Sequence, residues 1–323
     1  MRVAVLVPKY DGEPGRPQDR PIGRAALELE RQGIEVVFAD RAYDGRMFGM
    51  RATTDGWVEV ENVAVAAAYD RFPSQSRPEA YARLTDGLGE LPVANPRALV
   101  ELCRDKVATQ RLLEAAGVPM PDQEDDPERF ETTLKRWGHA YLKPRYGAFG
   151  RGVSKVEPGD PLPATGVGSV AGVLEPLFLQ RAVPAPEGYR GIALRILCQR
   201  VEGDLWTTAP AVARWSKHDD VVNAARGAEV VVANDLVPGA VAPLTSLALR
   251  VCDVLAAQPT GELLLELGID AMVGAYGLPH LIEVNGRPRG RLEALAALDP
   301  SEWEARHVRV CMQPLLYLAS RFG

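Results

Sequence analysis

Residues 2–40 read RVAVLVPKYDGEPGRPQDRPIGRAALELERQGIEVVFAD, and the order of patterns in this stretch decides the fold class. The opening run, RVAVLV (2–7), is β-branched and apolar, as in a strand buried on both faces of a parallel sheet. A loop rich in Gly and Pro (10–20) follows. IGRAALELERQG then sets Ile22, Ala25, Ala26 and Leu29 on one helical face and stops at Gly33. IEVVFAD (34–40) supplies a second strand, so strand, helix and strand form a βαβ unit that opens a doubly wound parallel sheet. No G-x-G-x-x-G follows the first strand, so nothing there points to a dinucleotide site. Weaker strand signals at 57–60 and 63–69 and a helix near 78–90 complete an N-terminal α/β domain, residues 1–96.

The chain has 323 residues, 46% hydrophobic and 25% charged, which suits about two domains of ordinary globular composition. Its 37 basic and 43 acidic side chains leave a net charge of −6, against a nonspecific nucleic-acid binder. Only six of the basic residues are lysines (Lys9, Lys106, Lys135, Lys143, Lys155 and Lys217), so each lysine's position carries information. No apolar run reaches the roughly 18–20 residues that span a bilayer, and the first apolar stretch, cut off by Pro8, is short for a signal peptide. A cytoplasmic protein without membrane partners is expected. Cys103, Cys198, Cys252 and Cys311 are far apart and read as buried thiols, neither a disulfide frame nor a zinc site.

From 97 the pattern changes. Helices are expected at 97–103, 105–116 and 127–137, a strand at 139–143 and further strands near 172–180, 191–201 and 205–214. The Pro- and Gly-rich segment 157–168 reads as a loop. A long amphipathic helix (243–257) precedes the strands ELLLELGIDAMV and PHLIEVN, and helices at 290–298 and 301–319 end the chain. The division expected beyond the first domain is 97–180 and 181–323.

Three constellations could carry chemistry. In YLKPRYGAFGRGV (141–153), Lys143 ends a strand and Gly147, Gly150 and Gly152 follow. Such glycines let backbone N–H groups turn toward a phosphate chain, and the lysine adds a point charge. It is not a Walker loop, because the lysine precedes the glycines; a hairpin with an exposed lysine is the other reading. In GIDAM (268–272) and LIEVNGRPRG (281–290), Glu283 and Asn285 point to one face of a strand and Asp270 lies near the end of the preceding one. Two carboxylates and an amide oxygen suit Mg²⁺ held together with nucleotide phosphates, and a polar hairpin edge is the alternative. In ARWSKHDDVVNAARGA (213–228), Arg214 ends an apolar strand before Asn223, Arg226 and Gly227, a set that could stabilise an anionic tetrahedral centre or form a solvated loop.

Taken in order, RDKVATQRLLEAAGVPMP (104–121), YLKPRYGAFGRGV, LFLQRAV (177–183), ALRIL (193–197), ARWS with NAARGA, and GIDAM with LIEVNGRP resemble the ATP-grasp superfamily. Within it the chain is most similar to carboxylate–amine ligases related to glutathione synthetase, D-alanine–D-alanine ligase and the ribosomal-protein glutamate ligase. The resemblance covers 97–291 and implies an α/β (α+β in the grasp half) architecture: the N-terminal parallel-sheet domain, then a two-subdomain ATP-grasp fold with a glycine-rich lid. It implies that Lys106 and Lys143 reach the nucleotide phosphates and that the loop of Gly147, Gly150 and Gly152 closes over them. Gln180, Arg181 and Val183 match the hinge that reads the adenine edge, and Glu187 is the candidate for the ribose hydroxyls. Asp270, Glu283 and Asn285 match the metal ligands; Arg214 and Asn223 match the residues that hold the transferred phosphate and the acyl acceptor. The family pattern is broken at Ala193, where relatives carry an acid, and at Gly227–Ala228, where they carry Gly-Gly.

The implied cofactors are ATP and Mg²⁺, two ions, with Mn²⁺ as an alternative. The implied reaction is attack of a carboxylate on the γ-phosphate and displacement of phosphate by an amine. Arg226, Gly227, Arg287 and Arg289 are candidate substrate ligands, since guanidinium groups bind carboxylates bidentately; an amino acid or peptide substrate is expected. A homodimer is compatible with the pattern. His139, His218, His280 and His307 are expected to be structural or surface residues. A small-molecule kinase on the same fold and a regulatory ATP-binding module without turnover are the competing readings.

Overall fold

The structure is a computed structural model and describes residues 1–9, 15–147, 150–170, 172–219, 221–222, 227–288 and 292–323. The βαβ start is present: β1 (Arg2–Leu6), α1 (Pro21–Arg31) and β2 (Glu35–Tyr43), with β1 parallel to β2. β1 is buried on both faces. Val3 and Val5 pack with Ala25, Ala26 and Leu29 of α1, while Ala4 and Leu6 pack with Phe72, Tyr81 and Leu84 on the other side. β3 (Arg46–Thr53) and β4 (Gly56–Ala64) extend the sheet as an antiparallel meander, and β5 (Ala68–Asp70), α2 (Pro78–Asp86) and β6 (Val93–Ala94) complete it in the order β4-β3-β2-β1-β5-β6. β3 was not expected from the pattern, and the signals at 57–60 and 63–69 resolve into the separate strands β4 and β5. The informative signal is Asp44-Gly45, both at positive φ (48° and 70°), which is the two-residue turn that closes a hairpin with the sheet's twist.

α3 (Arg97–Arg104) and α4 (Lys106–Ala115) meet at Asp105, whose side chain caps α4 by accepting from the Ala108 N–H at 3.0 Å. Next come β7 (Gln123–Glu124), α5 (Phe130–Trp137), β8 (Ala140–Pro144), β9 (Ser154–Val156), β10 (Val167–Val170) and β11 (Val173–Arg181). They form an antiparallel sheet, β10-β11-β8-β9, with β7 paired to β11. The expected loop at 157–168 therefore ends in a strand. Phe130 and Leu134 of α5 cover Ala140, Leu142, Leu177 and Leu179 on one face, so Tyr141, Lys143, Phe178 and Gln180 fall on the other.

The third sheet contains β12 (Gly191–Arg200), β13 (Trp206–Thr208), β14 (Val212–Ser216), β15 (Glu229–Val232), β16 (Glu266–Val273) and β17 (Pro279–Asn285), in the order β15-β14-β12-β16-β17 with β13 on β12. Between β15 and β16 run α6 (Ala233–Leu236) and α7 (Pro238–Ala256). α7 is long and apolar enough by composition to cross a membrane, but Leu244, Ala248, Val251, Cys252 and Leu255 pack on Ile192, Leu194, Ile196, Ile269 and Leu281 of this sheet. The four cysteines are free and buried. After α8 (Glu293–Leu298), α9 (Pro300–Phe322) returns to the first sheet, where Cys311, Leu315 and Leu318 join the core of Val3, Val5 and Leu29.

Polar groups tie the first sheet to the third. Asn95, fully buried, donates to the carbonyls of Glu266 (2.9 Å) and Gly286 (2.6 Å) and accepts from the N–H groups of Leu265 (2.8 Å) and Glu266 (3.1 Å). The buried carboxylate of Glu266 accepts from Tyr69, from Arg71 at 3.0 Å and from Gln199 at 2.9 Å. Removing Asn95 strands several buried backbone groups at once. Asn95→Ala is expected to lower unfolding stability by about 2–4 kcal/mol, read from urea titration; a loss under about 1 kcal/mol would show that this tie does not join the sheets.

Candidate active site

The cleft lies between the face of the β8–β11 sheet opposite α5 and the face of the third sheet opposite α7. Strand register sets its contents. Asp270 stands opposite Glu283 across β16 and β17, Arg195 opposite Asp270 across β12 and β16, and Arg214 two residues away opposite Ala193. With Ile192, Leu194 and Ile196 committed to the α7 core, alternation sends Arg195 into the cleft. Its guanidinium holds Asp270 with two bonds, Nε to Oδ1 at 2.7 Å and an Nη to Oδ2 at 2.5 Å, and Asn285 Nδ2 donates to Asp270 Oδ2 at 2.8 Å. Two residues from Asp270, half-buried Met272 shares its face with Ala193 and continues the cleft as an apolar floor.

Cations enter from the other elements. Lys106, on the first residue of α4, donates to the Gly147 carbonyl in the glycine-rich turn. The base of that turn is fixed to the same helix junction: Arg145 grips Asp105 with bonds of 2.7 and 2.6 Å, and the Lys106 N–H donates to the Arg145 carbonyl at 3.2 Å. Lys143 of β8 donates from Nζ to Gln180 Oε1 at 2.6 Å. Gly150 and Gly152 both sit in the left-handed region, at φ of 68° and 69°, which a side chain would strain.

These groups shift one another's basicity. Burial pushes the Lys143 ammonium down to about 8, and nearby Lys106 adds to the effect while Glu283 and Asp270 oppose it. Burial likewise lowers Lys106. Glu283 is raised by burial and by Asp270, against the pull of Lys106, Lys143 and Arg195. Arg195 is raised by Asp270. Arg214 is lowered by burial and by Arg195, and its Nε is buried with no hydrogen-bond partner among the described residues. Four cations thus face two carboxylates, and the positive excess suits a polyanion.

Other expected residues lie elsewhere or are already engaged. Gln180 is buried, with its oxygen on Lys143 and its nitrogen on Gln110 at 3.1 Å. Arg181 points to the opposite face of β11 and pairs with Asp122 at 3.3 Å. There it borders a groove of about 700 Å³ with Arg111, Asp125, Arg136 and Trp137, in which no other expected site residue takes part. Val183 is half-buried and Glu187 exposed on the loop between β11 and β12, and Gly227 sits at φ 82° before β15. Arg287 does not face a free substrate pocket. Its guanidinium is taken up by Asp70, the Tyr81 hydroxyl (2.7 Å), the Phe72 carbonyl (2.9 Å) and Ser74 Oγ (3.1 Å), all from the N-terminal domain. Asn223, Arg226 and Arg289 lie outside the described residues, as do 148–149 of the glycine-rich turn. The pattern reading missed Arg195 as a site residue, although a charge inside the apolar strand IALRIL must have a partner to be buried.

The depressed basicity of Lys143 has a measurable sign. The unfolded chain keeps a lysine near its ordinary value of roughly 10.4, so between about 8 and 10.4 the unfolded state binds the extra proton and folding stability rises with pH. In reductively ¹³C-methylated protein, the resonance lost in Lys143→Arg should titrate near pH 8, apart from the surface lysines. A midpoint shared with those lysines would place this side chain in water.

Residues 175–318 match the family model described as YheC/D like ATP-grasp. Among solved structures, a RimK domain protein ATP-grasp from Sphaerobacter thermophilus DSM 20745 aligns at TM-score 0.55 and 20% identity, covering 98% of this chain and 99% of its own. The ATP-grasp ligase PsnB, complexed with minimal precursor, Mg and ADP, aligns at 0.58 and 14% over 97% of both chains. The D-alanine-D-alanine ligase from Coxiella burnetii aligns at 0.58 and 12% over 100% of this chain and 96% of that one. The chain shares its fold along essentially the whole length with these ATP-grasp structures, and residues 175–318 match the YheC/D-like ATP-grasp family model.

Proposed function

We propose that the protein is an ATP- and Mg²⁺-dependent ligase that activates a carboxylate as an acyl phosphate and joins it to an amine, with an amino acid or peptide as substrate. The observation that carries this reading is the convergence of Lys106, Lys143, Arg195 and Arg214 on Asp270, Glu283 and Asn285 in one cleft of an ATP-grasp fold. Similar structures agree with this reading: PsnB is complexed with Mg, ADP and a minimal precursor, and another is a D-alanine-D-alanine ligase.

Asp270, Glu283 and Asn285 offer hard oxygens on one face, the donor set that Mg²⁺ takes together with phosphates. Bound there, two Mg²⁺ ions would supply positive charge shared with the phosphate oxygens. Lys106 and Lys143 would hold the β- and γ-phosphates, and Gly147, Gly150 and Gly152 would shield them from water. A substrate carboxylate oxygen attacks the γ-phosphorus and the bond to the ADP oxygen breaks; Lys143 and Arg214 offset the charge gathered on the transferred group. The amine nitrogen then attacks the acyl carbon, phosphate leaves with the bonding pair, and the amine loses a proton. Arg214 and Asn223 would hold the phosphate during that exchange, with Arg226 and Gly227 beside the acceptor. The hinge from Gln180 to Val183 would take the adenine, with Glu187 at the ribose.

Incubation with ATP, Mg²⁺ and a pool of amino acids should release ADP and phosphate in an amine-dependent manner and yield a dehydrated adduct by mass. A lasting phosphorylated product would instead make the protein a kinase, and AMP as product would contradict acyl-phosphate chemistry. Lys143→Ala and Glu283→Ala should each lower turnover by about a thousandfold with melting temperatures close to the parent's. Near-normal activity in either would remove the site assignment.

The excess of cations over carboxylates also predicts an order of binding. Mg²⁺ without nucleotide meets a cleft that is positive on balance, so its affinity should rise at least about tenfold when a non-hydrolysable ATP analogue is present. Calorimetric titration reads both values, and equal affinities would mean that the carboxylates alone form the metal site.

A further inference from the structure

Buried amides behind the cleft form a directional chain. Gln110 of α4 and Gln180 of β11 are 1% and 3% exposed. Gln110 Nε2 donates to Glu114 Oε1 at 2.7 Å and to the Pro121 carbonyl at 2.7 Å. Both partners can only accept, so the nitrogen of Gln110 is committed to that side and its oxygen must face the other way. That oxygen accepts from Gln180 Nε2 at 3.1 Å. Gln180 is fixed in turn, with Nε2 toward α4 and Oε1 toward the cleft, where Lys143 Nζ donates to it at 2.6 Å.

We infer that Gln110 is a specificity-determining positioning residue: it orients the hinge amide so that the cleft meets an acceptor, which selects a nucleotide base presenting an amine over one presenting a carbonyl. The inference rests on the ligase reading, in which Lys143 turns to the phosphates and the base lies against the hinge. Once Lys143 leaves, Gln180 Oε1 needs a new donor, and Gln110 keeps the amide from rotating. The exocyclic amine of adenine supplies that donor. Guanine carries a carbonyl at the same position, and two buried acceptors would face each other without a proton between them. Gln110 touches no reacting atom; it acts through Gln180.

The test compares Mg²⁺-dependent binding of non-hydrolysable ATP and GTP analogues to the full chain by calorimetry. The parent should favour the ATP analogue by about thirtyfold or more. Gln110→Met removes the acceptor that holds Gln180 Nε2, lets the amide turn and should reduce the preference at least about fivefold. Gln110→Lys pairs with Glu114 and donates to Gln180, so the amide should reverse and the preference move further toward GTP. Gln110→Met combined with Gln180→Glu should restore discrimination, because a carboxylate offers only oxygens. A role confined to packing would not be rescued by this second change. An unchanged preference in folded Gln110→Met or Gln110→Lys, or no recovery in the double variant, overturns the inference. A parent that binds both analogues equally also overturns it while leaving the ligase reading in place. A parent that binds neither removes the ligase reading itself.

Discussion

Asp270 and Glu283 face each other across two antiparallel strands inside a cleft where burial makes unbalanced charge costly, and much of the surrounding architecture answers that cost. Arg195 holds Asp270 from the neighbouring strand with two short bonds, and Asn285 adds a third donor. Glu283 is left to the longer-range field of Lys106 and Lys143, which come from a different sheet and its preceding helix. The carboxylates and the lysines therefore belong to separate structural layers. Their mutual electrostatics depend on how those layers meet.

The meeting is secured away from the cleft. Asn95, Arg71 and Asp70 tie the N-terminal sheet to the strands that carry the carboxylates, and they hold the Gly286 carbonyl, the Pro288 carbonyl and the Arg287 side chain, three successive residues just beyond Asn285. Asp105 does the same on the other side, capping the helix of Lys106 while holding Arg145 below the glycine-rich turn. The outcome is a positive cleft in which burial lowers the basicity of both lysines, and a bound phosphate would raise it again.

Most of the grasp half was legible in the sequence because its signals are local. Lysine at the end of a strand, glycines after it, and a carboxylate and an amide at i and i+2 (Glu283 and Asn285) closing an apolar run are constraints that neighbouring residues impose. The βαβ start and the α7 core follow from periodicity in the same way. What was not legible depends on partners distant in sequence. Arg287 reads as a free guanidinium after the metal motif, yet its partners lie more than 200 residues earlier, at Asp70, Phe72, Ser74 and Tyr81. Gln180 reads as an open hinge amide, but Lys143 and Gln110 already engage both its ends. The strand β3 is hard to read for a different reason: its alternation is weak, and only the Asp44-Gly45 turn marks where it begins.

Crystals grown with Mg²⁺ and a non-hydrolysable ATP analogue test the central claim most directly. The account places the triphosphate oxygens within hydrogen-bond reach of Lys106 and Lys143, with metal between those oxygens and Asp270 and Glu283, and Lys143 withdrawn from Gln180. A nucleotide seated instead in the groove beside Arg111 and Arg136, with Lys143 still on Gln180 and Arg195 still holding Asp270, would contradict it.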